Sequence, residues 1–255
     1  MTLQIKSVVL RESNCIPTDI MDICNIFPHM QVFFCQNRLT NAIHDHEDTH
    51  AISDEQRAAA PSAKRYLSDS FGKLQKLHTL ALVPILPGLK IFNWKNHFSG
   101  PSGFLTLAGL PALTSLATLI SVFATPDGES TGVLTASPMQ VLPRSLRSLQ
   151  IIVDHWSCRS LAFATPLDEI WFQPREAAVK FLSALASICA REFPDLRKAL
   201  SPDEDYTSRA EGIVSPFKDR FDALGAAFNE ANVVFRIVEL KEYSDFYFHW
   251  QGSRE

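Results

Sequence analysis

His46-Glu47-Asp48-Thr49-His50 is the stretch of this chain whose residue types and spacing come nearest to a known chemistry. Two imidazoles one helical turn apart can hold zinc while the intervening glutamate acts as general base on a metal-bound water, so the enzymatic reading is a zinc-dependent metallopeptidase. His44 adds a further ring. The surroundings argue otherwise. Asp45 and Asp48 make the stretch acidic and solvated, and the extended motif would need Gly at 53 and His at 56, where Ser53 and Gln56 stand. Asp69 is the sole carboxylate at a plausible distance for a third ligand. A polar inserted loop is the preferred reading, with no catalytic residue, metal ligand set or cofactor expected.

Other chemistry is thinner. Gly100-Pro101-Ser102-Gly103 has the wrong spacing for a nucleophile elbow, and no glycine-rich phosphate loop or dinucleotide fingerprint occurs. Asp203, Glu204 and Asp205 sit in a Ser-Pro-Asp-Glu-Asp-Tyr stretch that reads as a solvated turn. The five cysteines, Cys15, Cys24, Cys35, Cys158 and Cys189, contain no C-x-x-C pair, against both a disulfide framework and a thiolate zinc site. A reducing compartment, cytoplasm or nucleus, is expected, the more so because MTLQIKSVVLRES contains no secretory signal. The net charge of -4 gives no general attraction to phosphate backbones, and nucleic acid is not an expected partner.

The segment between Lys95 and Asp127 carries no charged residue, and Phe104 to Thr125 is long enough to cross a bilayer. Gly109 and Pro111 interrupt it, and its flanks lack clustered Lys and Arg. Leu107, Leu110, Leu113, Leu116 and Leu119 recur every third residue, a spacing that suits the turns and strand of a repeat better than a helix face. No membrane partner is expected.

That spacing belongs to a wider recurrence. Leu146-x-x-Leu149-x-Ile151-x-x-Asp154 is its clearest copy, and Leu77-x-x-Leu80-x-Leu82 repeats the first half. Ile5-x-x-Val8-x-Leu10 and Phe27-x-x-Met30-x-Val32-x-x-Cys35 fit the same template, the latter with Cys where leucine-rich repeats accept Asn or Cys. Each phrase predicts one short strand beside the next, with the spaced apolar side chains inward and the intervening ones facing solvent.

Helical signals fall between the strand phrases. Pro17 to Cys24 predicts a short helix with Ile20, Ile23, Cys24 and Phe27 on one face. Ser53-Asp54-Glu55-Gln56 is a capping-box pattern opening another, with Pro61 as a breaker. Pro174 to Phe193 shows the strongest helical spacing, and Ser215-Pro216 starts a helix with Phe217, Phe221, Leu224 and Phe228 buried. Val233 to Val238 reads as a last strand. The intervals between phrases are uneven, which points to repeats carrying insertions within one domain spanning 1–255, with 174–255 a more helical C-terminal cap. The predicted fold is an α/β, irregular leucine-rich-repeat-like solenoid of parallel strands alternating with helices and loops.

Ile5 to Ser13, the following Pro-Thr-Asp helix, Phe27 to Asn37, and the phrases at Phe104–Leu113, Leu142–Leu149 and Phe193–Leu196 together resemble the repeat region of fungal F-box/leucine-rich-repeat proteins. The resemblance spans most of the chain on degenerate leucine patterns. It implies a non-catalytic, protein-binding scaffold, related to the target-recognition regions of ubiquitin-ligase receptors, with a ubiquitin-ligase adaptor as a second partner if an F-box stands upstream. The F-box segment itself is expected to be absent here: Ile16-Pro17-Thr18-Asp19-Ile20 resembles its opening but follows a strand phrase. On this reading the working surface is the solvent-facing set Lys6, Arg11, Gln31, Gln36, Arg147 and Gln150. The aromatic tail Tyr243, Phe246, Tyr247, Phe248, His249 and Trp250 is read either as contact anchors or as the closing layer of the core.

Overall fold

One short turn recurs ahead of the strands and explains where they start. Met30 N–H donates to Phe27 O, Leu77 to Leu74, Leu113 to Leu110, Leu146 to Pro143 and Leu196 to Phe193, at 2.9 to 3.2 Å. Each turn drives its second apolar side chain into the core, and a strand begins two residues later. The computed structural model describes residues 5–13, 17–37, 67–84, 104–126, 133–153, 174–202 and 218–238.

These turns feed strands β2 (Val32–Asn37), β3 (Thr79–Pro84), β4 (Ser115–Leu119), β7 (Ser148–Ile152) and β8 (Lys198–Pro202), with β1 (Ser7–Ser13) and β9 (Val234–Val238) at the two margins. Together they form an open, seven-stranded sheet in the order β1-β2-β3-β4-β7-β8-β9, every pairing parallel. Spatial order therefore follows chain order. A small antiparallel hairpin, β5 (Ala124–Pro126) with β6 (Val133–Thr135), stands apart from the main sheet. Helices α1 (Pro17–Ile26), α2 (Pro138–Val141), α3 (Pro174–Glu192) and α4 (Lys218–Glu230), a helical run over 67–72 and a 3-10 turn at Ile120–Val122 occupy the connections.

The register stacks apolar side chains in rows. Val8, Phe33, Leu80, Leu116, Leu149, Ala199 and Phe235 are aligned from strand to strand, and Leu10, Cys35, Leu82, Thr118 and Ile151 make the next row on the same face. Helices cover this face: Phe71 packs against Phe33 with ring centroids 6.3 Å apart, and Phe228 stacks on Phe235 at 5.2 Å. Helix α3 buries Ala178, Phe181, Leu182, Leu185 and Cys189, the stripe its spacing predicts, and Phe181 stacks on Phe123 at 5.1 Å.

Two expectations need correction. Val32 was placed inward, but Phe33 and Cys35 are the fully buried residues of β2 and Val32 is half-exposed. The opposite face of the strands was placed in solvent, yet Phe34, Ala81, Val83, Ala117, Leu119, Ile152 and Leu200 are buried there. Among the described residues that face opens at its margins, at Val9, Val234 and Arg236, and along the first residues of the inner strands, where Val32, Thr79, Ser115, Ser148 and Lys198 are half-buried. Parallel strands buried on both faces carry near-continuous apolar runs rather than clean alternation, and Leu80-Ala81-Leu82-Val83 is such a run. The leucines from Leu107 to Leu119 build turn and strand, and among the described residues no helix is long and apolar enough to cross a membrane. In the region expected to be a more helical cap, β8 follows α3 and β9 follows α4, and both continue the sheet.

Candidate functional site

One backbone position organises the opening edge of the sheet. Lys6 O accepts from both Gln31 and Val32, Gln31 O from His78 and Thr79, His78 O from Thr114 and Ser115, Thr114 O from Arg147 and Ser148, and Arg147 O from Arg197 and Lys198. Arg197 O then accepts from Val234. Because each residue donates to its predecessor and accepts from its successor, Lys6, Gln31, His78, Thr114, Arg147 and Arg197 form one row, each about 4.8 Å from the next by the spacing of paired strands. All belong to the same end of parallel strands, so their side chains share one rim.

That rim is basic. Lys6, His78, Arg147 and Arg197 are exposed, Gln31 and Thr114 are half-buried, and the turn positions just before them add exposed His29, Lys76 and Arg144. Asp195 is the acidic residue among those turn positions. The neutral members are held by the row itself: Thr114 Oγ1 donates to His78 O at 3.1 Å, and Ser145 Oγ to Leu113 O at 2.8 Å. Arg197 Nη1 donates to Pro194 O at 2.8 Å, which ties its guanidinium over the preceding turn. Arg144 is committed to Glu192 at 2.9 Å, and Glu192 also accepts from Arg191 at 2.8 Å. Lys6, Lys76 and Arg147 meet no carboxylate among the described residues.

Of the residues expected to form a working surface, Lys6, Gln31 and Arg147 come together in this row. Arg11 and Gln36 lie further along β1 and β2, exposed and half-buried respectively. Gln150, expected to face solvent, is 4 % exposed in the middle of β7, because it belongs to the second face of the sheet, buried over the central strands. His78 and Arg197 were not singled out from sequence. Their signal was available: each stands immediately after the turn leucine, as Lys6 follows Ile5, Gln31 follows Met30, Thr114 follows Leu113 and Arg147 follows Leu146.

Other candidate chemistry is absent from what the structure describes. His44 to His50, Asp203 to Asp205 and the aromatic tail from Tyr243 lie outside the described residues. Among the described residues, no group of three or more His, Cys, Asp or Glu side chains is placed to hold a metal ion. Cys24, Cys35 and Cys189 are buried, and among the described residues none of them is joined in a disulfide. Burial pushes the Cys24 thiol up to about 12 and raises that of Cys189, which keeps both protonated and poor nucleophiles at neutral pH. Comparison with known proteins finds no matching family model, no similar curated protein and no similar solved structure, so functional assignment rests on the geometry of this chain.

Proposed function

We propose that the chain is a non-catalytic, protein-binding scaffold of leucine-rich-repeat type, an irregular solenoid related to the target-recognition regions of F-box receptors. The single observation that carries this reading is the recurrence along the chain of one turn, one in-register strand and one doubly accepting carbonyl, the last at Lys6, Gln31, His78, Thr114 and Arg147. Stacked units of this kind bury a continuous core between neighbours and leave aligned positions free to vary for contact. The partner is a protein. With both faces of the central strands buried, the aligned and accessible positions are those of the strand-opening rim.

Capture from cell extract with the purified chain tests the reading, using Leu149→Asp as an unfolded control. Leu149 is fully buried at the centre of the inward row, and a carboxylate there is expected to abolish the folded state, read as loss of the cooperative melt by circular dichroism. A stoichiometric protein retained by the wild type and lost with the control supports the scaffold. Stoichiometric zinc and peptide hydrolysis, both removed by His46→Ala or His50→Ala, would overturn it in favour of the metallopeptidase.

A further inference from the structure

We propose that the strand-opening rim is the docking surface for an extended acidic segment of a partner protein. The proposal rests on the scaffold reading and adds the chemistry of what is bound.

The argument begins with a contrast in charge. The chain as a whole is acidic, at -4, yet the rim gathers Lys6, Lys76, Arg147 and Arg197, with His29 and His78 beside them, against the single turn carboxylate of Asp195. Like charges brought to neighbouring positions repel one another, and among the described residues Lys6, Lys76 and Arg147 are given no carboxylate in return. Burial does not explain them, since Lys6, Lys76, Arg147 and Arg197 are exposed. An acidic ligand would relieve that repulsion, and electrostatic complementarity of this sort steers association and fixes register.

Geometry specifies the form of the ligand. The cations are displaced from one another across the strands, in steps of about 4.8 Å or twice that, along a line perpendicular to the sheet's strands. An extended peptide laid along the same line repeats its same-face side chains every 6.8 Å or so, between those two steps, so flexible Lys and Arg side chains can meet successive carboxylates. Gln31 and Thr114 interrupt the charges with half-buried amide and hydroxyl groups, suited to a peptide backbone. A polynucleotide fits less well. Single strands are held by stacking bases on aromatic side chains, and the rim positions contain no Phe, Tyr or Trp.

Fluorescence anisotropy on the full chain tests this, with a labelled peptide of alternating Glu and Gly as probe. A single-stranded oligothymidylate of equal charge is the competitor. The informative variant is Lys76→Glu/Arg147→Glu, which spares Arg197 and its backbone contact, and Arg236→Glu on β9 is the off-rim control. The wild type is expected to bind the peptide in a salt-sensitive manner, with at least a tenfold or so loss in the double variant and less than about twofold in the control. Should the charge reversal disturb folding by circular dichroism, Lys76→Gln/Arg147→Gln is expected to show a smaller loss in a folded protein. An affinity indifferent to either double substitution, or an oligonucleotide bound as tightly as the peptide, overturns the proposal. Failure to bind the peptide while a partner is still captured from extract refutes the acidic ligand alone, whereas loss of capture refutes the scaffold.

Discussion

Thr118 is enclosed between Leu82 of β3 and Ile151 of β7, and its hydroxyl has no hydrogen-bond partner among the described residues. A buried polar group left unpaired costs about 1–3 kcal/mol. Thr118→Val keeps the shape and removes the orphan, so it is expected to raise stability by roughly 1 kcal/mol in a urea titration. A lowered midpoint would instead mean that the hydroxyl is bonded in solution. Asn232 makes the opposite kind of demand, since at φ 59° it occupies the left-handed region. It closes α4: Val233 N–H reaches back to Phe228 O at 2.9 Å and Asn232 N–H to Asn229 O at 3.0 Å, the paired bonds of a Schellman ending. Asn232→Ala is expected to cost about 1 kcal/mol and Asn232→Gly close to nothing, measured on the same denaturation curves. Equal losses in both would show that the side chain, not the backbone angle, holds the turn.

Helices α3 and α4 are joined at the surface by Glu176 and Arg220, which pair through both carboxylate oxygens, one contact at 3.0 Å. The hydrogen bond from Arg220 holds the Glu176 carboxyl below its ordinary value of 4.5. A carboxyl lowered by folding stabilises the native state fully above its unfolded value, and that contribution is lost as pH falls through the folded one. The pair is partly exposed, so its worth is at most about 1 kcal/mol. Glu176→Gln should therefore melt earlier than wild type at neutral pH and converge with it in acid below 4.5, while a difference that survives in acid would point to packing. Both helices were legible in the sequence, because Phe181, Leu182, Leu185 and Cys189, like Phe221, Leu224 and Phe228, recur at the helical period. Strand phases were harder. Val32-Phe33-Phe34-Cys35 is apolar throughout, so alternation cannot say which side faces inward, and pairing of Phe33 with Leu80 decides it. The β5–β6 hairpin has three residues per strand and a proline, too little pattern to read, and β8 was obscured by small inward residues at Ala199 and Ser201. Half of the rim, Lys6, Gln31 and Arg147, is legible as the polar residues of leucine phrases, whereas His78, Thr114 and Arg197 carry the same signal, a place directly after the turn leucine, and the strand register shows that this place is one aligned row.

At the scale of the whole molecule, one hydrogen-bonded row unites residues from Lys6 to Arg197, and the rim is a property of their alignment rather than of any one segment. Substitution at a single rim position is thus expected to matter less than a slip in register. The sheet's order has another effect. In a doubly wound sheet the chain starts in the middle and later strands add on either side, so an early strand waits for a late one. Here β1 meets β2, β2 meets β3, and each addition completes the pairing of the strand before it. A chain leaving the ribosome can lay down its layers as they emerge, and a nascent protein arrested after β7 already holds every neighbour that its first four strands will ever have.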